Sequence, residues 1–222
     1  MSIIRQDPTT KEWVIVATGR AKRPHDVKPA AEPRPQAPRD ASCPLCPGNE
    51  AQTPPEVLRI PGPQGDGWSV RVVPNKFAAL AADGEPRRRE KGPLFREMDG
   101  VGHHEVIVET PDHSKTTALL QDSEVELIIE AYLNRFKFAS TDTRIEQVTI
   151  FKNYGADAGT SLEHSHSQLI ATPVISHQVR QRFQEALRHY DDFGCCIFCQ
   201  IIEEELQEQQ RIVLMSEHFV AF

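Results

Sequence analysis

No apolar run in the 222 residues approaches the roughly 18 that a membrane-spanning helix needs, so no such span is expected. The opening residues, Met1-Ser2-Ile3-Ile4-Arg5-Gln6-Asp7-Pro8, also lack the apolar stretch of a secretory leader, and a soluble, cytoplasmic protein is the expectation. Basic residues are in deficit. Against 32 Asp and Glu there are 25 Lys and Arg, a net charge of -7, which argues against a broad nucleic-acid surface but leaves room for a local phosphate site. Cysteine is scarce as well: five is an odd count for a closed disulfide framework. Four of the five form two Cys-x-x-Cys pairs, Cys43/Cys46 and Cys196/Cys199, which in a reducing compartment point to metal or redox chemistry.

With 39% hydrophobic residues, the chain can bury one core plus the beginning of a second. Eleven of its seventeen prolines fall between Pro24 and Pro63, where missing backbone donors predict an ordered loop or linker rather than a regular ladder. Strands are expected at Trp13–Ala17, Trp68–Val73, His104–Glu109, Val148–Phe151 and His164–Ala171. Residues 83–100, rich in Arg, Glu, Pro and Gly, read as a solvated loop. After an N-cap at Asp122-Ser123, the positions Val125, Ile128, Ile129, Tyr132, Phe136 and Ala139 predict a helix with one buried stripe. Further helices are expected from about Ser176 to Tyr190 and from Ile197 to Gln209. This order indicates an α+β fold with an antiparallel sheet, with a first domain over 1–194 and the start of a second over 195–222.

Cys43-Pro44-Leu45-Cys46-Pro47-Gly48 has the form of a zinc knuckle, two thiolates on one tight turn. His113 and His164 are histidine candidates for the remaining ligands; a thioredoxin-type role fits a proline-rich loop less well. In an extended strand His164, His166 and Gln168 share one face and Ser165, Ser167 and Leu169 the other. If His164 is tied to a metal, His166 remains as a nucleophile and Gln168 as an amide donor to a phosphoryl oxygen. The open alternative is that both histidines bind metal, as in hydrolases built on (β/α)8 barrels, although no eightfold strand–helix alternation appears. Asn75, Asn153 and Ser161 stand at strand ends or in the glycine-rich connection Gly155–Gly159, where short polar residues serve a nucleotide or merely a turn. Arg20, Lys22 and Arg23 form a small basic cluster.

Taken together, Arg5–Pro8, Arg20–Pro24, Cys43–Cys46, Pro74–Phe77, Thr110–Ser114 and Gly159–Gln168 resemble the galactose-1-phosphate uridylyltransferase family of the histidine-triad superfamily, in the same order along the chain. The resemblance implies zinc on Cys43, Cys46, His113 and His164, and attack by His166 on the α-phosphorus of UDP-glucose. The uridylyl group would then pass to galactose 1-phosphate, with Gln168 and Ser161 stabilising the phosphoryl oxygens and Asn75, Phe77, Asn153 and Gly159 lining the nucleotide. It also implies a homodimer in which the Arg20/Arg23 region reaches the partner's site. Two departures stand out. The common family run is His-Pro-His-Pro-Gln or His-Pro-His-Gly-Gln, whereas residues 165 and 167 are serines, as in relatives that transfer adenylyl groups, including ADP-glucose phosphorylase. By the same resemblance a second domain is expected to open at Cys196-Ile197-Phe198-Cys199 with a candidate second knuckle and to be only begun within these residues, which leaves a zinc-stabilised nucleotide-binding module without turnover as an alternative function.

Overall fold

A computed structural model describes residues 2–7, 11–22, 37–65, 67–155, 158, 160 and 162–222. The chain forms two compact units, Met1–Val174 and Ile175–Phe222. The division falls some twenty residues before the expected boundary at 194, because the helix that begins at His177 groups with the C-terminal segment.

The first unit is built on two antiparallel sheets. Strands β1 (Ile3–Gln6) and β2 (Trp13–Val16) pair with a hairpin of β5 (Arg89–Lys91) and β6 (Phe95–Asp99) in the order β2-β1-β6-β5. The larger sheet has the order β3-β4-β7-β9-β8, from β3 (Leu58–Pro61), β4 (Trp68–Pro74), β7 (His103–Val108), β8 (Gln147–Phe151) and β9 (His166–Thr172). Two expectations are corrected. The proline-rich segment does supply a strand, β3, which sits at the sheet edge with a register shift at Ile60/Pro61, the placement a proline tolerates. The expected loop over 83–100 contains the β5–β6 hairpin. Its exposed residues alternate charge rather than hydrophobicity, pairing Arg89 with Asp99 (2.6 Å) and Lys91 with Glu97 (3.3 Å), so the sequence hides its period of two.

Helix α1 (Asp122–Ser140) covers one face of the larger sheet. It begins where expected, but the backbone N–H of Gln121 donates to the Glu124 carboxylate (2.8 Å), which makes Asp122 the first helical residue rather than the cap. The buried stripe is Ile128, Ala131, Arg135 and Ala139: Ile128 and Ala139 are buried as expected and Tyr132 packs half-buried on the core, but Ile129 is 48% and Phe136 47% exposed, and Ala131 and Arg135, each one step of about 100° around the helix from an expected position, are buried in addition. What turns the helix inward there is a charge, since Arg135 makes a bidentate ion pair with Glu105 of β7 (2.6 and 2.8 Å), with both residues buried. Ile128, Ala131 and Ala139 then pack on Val70, Val72, Ile107 and Leu169.

Gly102 sets the approach of β7 to β9. Its φ of +144° is one that L side chains rarely adopt, and a Cβ there would fall 2.1 Å from the carbonyl oxygen of Ala171. β7 and β9 thereby run in register from His103↔Ala171 to Val108↔His166.

The second unit consists of α2 (His177–Phe193), α3 (Ile197–Glu208) and a hairpin of β10 (Leu214–Met215) with β11 (Val220–Ala221). Ser176 caps α2 and Gly194 ends it in the left-handed conformation. Among the described residues, no helix is long and apolar enough to cross a membrane.

Candidate metal centre and active site

The Cys43–Cys46 turn is shaped by its neighbours. The Asn49 side-chain amide donates to the Cys43 carbonyl (2.8 Å), the Cys46 N–H to the same carbonyl (3.2 Å), and Gly48 takes φ +86°. His113 arrives from the turn after β7, held by its N–H to the Pro38 carbonyl (2.8 Å) and by the Asp112 carboxylate, which accepts from the Ser114 N–H and hydroxyl (2.9 and 2.6 Å). His164 lies in a bend just before β9, so the expected strand starts two residues late. The ligand atoms of Cys43, Cys46, His113 and His164 all fall within 4.8 Å of one another, and all four residues are buried.

This quartet fits a tetrahedral ion. The sulfur of Cys46 lies 3.3 Å from Nδ1 of His113 and 3.5 Å from Nδ1 of His164, and that of Cys43 lies 3.8 Å from the latter. Sulfur and nitrogen ligands at zinc bond lengths would be about 3.6 Å apart. Nε2 of His164 donates to the Thr110 carbonyl (2.7 Å), which puts the proton on Nε2 and turns the lone pair of Nδ1 toward the sulfurs. Burial depresses the His164 imidazole to about 4 and raises the Cys43 thiol to about 11. The imidazole is thus held neutral, as a ligand must be, and the buried sulfur becomes a thiolate only beside a cation.

On the sheet face away from α1, His166 and Gln168 of β9 stand beside Val106 and Val108 of β7, their register partners. Nδ1 of His166 donates to the His164 carbonyl (2.7 Å). The proton is therefore on Nδ1, so that in the neutral ring Nε2 carries the lone pair. A residue of the candidate quartet thus also accepts the Nδ1 proton of the next histidine.

Asn75 and Phe77, just after β4, meet this group: the Asn75 amide reaches Gln168 Oε1 (3.3 Å), and the Phe77 N–H donates to Asn75 Oδ1 (2.9 Å). Arg20 donates to the Phe77 carbonyl within its own chain (2.6 Å). Asn153 is half-buried two residues after β8, the edge strand next to β9. Arg23, Gly159 and Ser161 lie outside the described residues. Cys196 and Cys199, in the second unit, are exposed at the start of α3.

The two serines face the other way. The Ser165 hydroxyl donates to Glu109 Oε2 (2.7 Å) and that of Ser167 to Oε1, while Tyr132 of α1 lies within 2.5 Å of Ser167. Lys152 pairs with the same carboxylate and also donates to Ser165 (2.7 Å) and Thr117 (2.8 Å). Burial works to raise the Glu109 pKa, but hydrogen bonds from Lys152, Ser167 and Ser165 outweigh it and hold the carboxyl below its ordinary range. The sequence reading gave Glu109, Lys152, Tyr132 and His104 no role at the site. The available signal was a carboxylate directly after the apolar run Val106-Ile107-Val108 and a histidine of the same parity as Val106 and Val108.

Residues 1–176 match the family described as galactose-1-phosphate uridyl transferase, N-terminal domain. The chain belongs to this family. Among its relatives, an ADP-glucose phosphorylase of Arabidopsis thaliana is 33% identical over 219 residues, covering 98% of this chain and 60% of that protein. A galactose-1-phosphate uridylyltransferase of Thermotoga maritima is 29% identical over 222 residues, 100% of this chain and 62% of that protein. A solved uridylyltransferase superposes with a TM-score of 0.72 at 26% identity, covering 99% of this chain and 60% of the other. The Arabidopsis thaliana ADP-glucose phosphorylase, solved with bound ADP-glucose, superposes with 0.67 at 29% identity, covering 99% of this chain and 63% of the other. The family's α+β architecture is thus confirmed, and the chain spans about 60% of the length of these relatives.

Proposed function

We propose that the protein is a nucleotidyltransferase acting by double displacement through a nucleotidyl-His166 intermediate. The observation that carries this reading is the 2.7 Å bond from His166 Nδ1 to the His164 carbonyl. A ring that keeps its proton on Nδ1 presents Nε2 as an uncharged nucleophile. In the first half-reaction Nε2 attacks the α-phosphorus of a nucleoside diphosphate glucose. The P–N bond forms, the bond from that phosphorus to the bridging oxygen breaks, and glucose 1-phosphate leaves with the electron pair. In the second, a phosphate oxygen of the acceptor attacks the same phosphorus and releases Nε2. Gln168, on the same strand face two residues on, donates its amide to the phosphoryl oxygen as charge builds there, and Ser161 is assigned the same work. Asn75, Phe77, Asn153 and Gly159 hold the nucleotide.

Cys43, Cys46, His113 and His164 would hold zinc, which when bound supplies a structural tie between the knuckle loop, the turn after β7 and the start of β9. Through His164 that tie bears on His166, while the chemistry remains with the protein's own side chains.

For the base and acceptor, the family favours UDP-glucose and galactose 1-phosphate. The similarity to a relative named ADP-glucose phosphorylase favours a second reading, adenylyl transfer from ADP-glucose. Homodimerisation belongs to the same proposal. Incubating the protein separately with UDP-glucose and ADP-glucose, each labelled at the α-phosphate, tests it. Acid-labile label on the protein from one donor supports transfer and names the base; no label from either refutes it.

A further inference from the structure

Gln168 has two chemically different ends, and only the amide nitrogen can donate to a phosphoryl oxygen. A chain of hydrogen bonds decides which end is offered. It begins with two backbone N–H groups, each able only to donate. The Phe77 N–H reaches Asn75 Oδ1 (2.9 Å), which makes the other end of Asn75 its NH₂ group. The Ala79 N–H reaches Nδ1 of His104 (3.0 Å), and Arg20 Nη1 approaches the same nitrogen (3.4 Å). With donors converging on Nδ1, His104 carries its proton on Nε2. That Nε2–H and the Asn75 amide, whose nitrogens lie 3.1 Å apart, meet at one atom of Gln168, at 2.9 and 3.3 Å. Two donors can share only an acceptor, so that atom is Oε1.

We propose that His104 is a positioning residue: together with Asn75 it occupies the Gln168 carbonyl, so that the amide N–H₂ is the end available to the phosphoryl group undergoing transfer. The placement comes from the fold. His104 is buried on β7, on the face shared by Val106 and Val108, and Gln168 sits diagonally across on β9, since His104 pairs with Ile170 and Val106 with Gln168. Without the Nε2–H, one of the two bonds that hold the carbonyl is lost, and the amide can rotate to point oxygen against oxygen. The proposal rests on Gln168 having the role assigned to it above.

The test uses the full-length natural protein and measures single-turnover formation of the acid-labile nucleotidyl-protein from UDP-glucose and from ADP-glucose. His104→Phe keeps a ring but no donor and should slow that step by about tenfold to hundredfold with little change in the half-saturating donor concentration. His104→Gln, which restores an N–H near the position of Nε2, should recover much of the rate. In the double variant with Gln168→Ala, loss of the His104 donor should cost nothing further, because both changes remove the same interaction. Additive losses in the double variant, or no recovery in His104→Gln, would overturn the proposal. An undiminished rate in Gln168→Ala alone would instead refute the role of Gln168, so the two failures are read from different proteins. The wild type gives an answer independent of any variant's folding: long-range ¹H–¹⁵N spectra should show His104 as the Nε2–H tautomer, and the Nδ1–H tautomer contradicts the proposal.

Discussion

Nδ1 of His166 and the carbonyl oxygen of His164, two residues apart, are 2.7 Å from each other. One end of this contact belongs to the candidate nucleophile and the other to a residue of the candidate metal quartet, so a metal held by the quartet would bear on the geometry of His166.

From this linkage, replacing a ligand far from the reacting atoms should impair both. Cys43→Ser or His113→Ala is expected to reduce bound zinc from about one equivalent to near none and to lower Tm by about 10 °C or more. Metal analysis and calorimetry on the same samples check this; full zinc content in both variants would contradict the quartet.

The serines that depart from the common family run, as in relatives that transfer adenylyl groups, bond Glu109 through their hydroxyls on the α1 side, opposite His166 and Gln168. Ser165→Ala and Ser167→Ala should therefore each cost stability, about 1–3 kcal/mol from a lost bond to a buried carboxylate, yet leave the ratio of rates with UDP-glucose and ADP-glucose unchanged. Urea unfolding and the two rates decide it.

Glu109 also gives the fold an acid sensitivity. Its folded pKa is depressed, so its contribution to stability is present above the ordinary carboxylate range and is lost as pH falls through the folded value. Glu109→Gln, which removes the titrating group, should flatten the fall in stability over that acidic window. A wild-type slope retained in the variant would assign the sensitivity to other carboxyls.

Much of the site was legible because its residues are close in sequence or carry distinctive chemistry: Cys43 and Cys46 on one turn, His166 and Gln168 at the spacing of one strand face. What escaped depends on pairing between distant segments. Arg135 interrupts an apolar stripe and looks like a solvent residue until β7 brings Glu105 to it. His104 looks like one more strand residue until β7 lies beside β9 and the Ala79 N–H fixes its tautomer. The β5–β6 hairpin is invisible to hydrophobic periodicity because ion pairs hold its exposed side.

The most direct test of the account is donor labelling of the wild type and of His166→Gly, with zinc measured in both. The account predicts acid-labile α-phosphate label on the wild type, none on His166→Gly, and equal zinc in the two proteins. Label persisting on His166→Gly would remove His166 as the nucleophile, and zinc lost together with the label would make it a metal ligand instead.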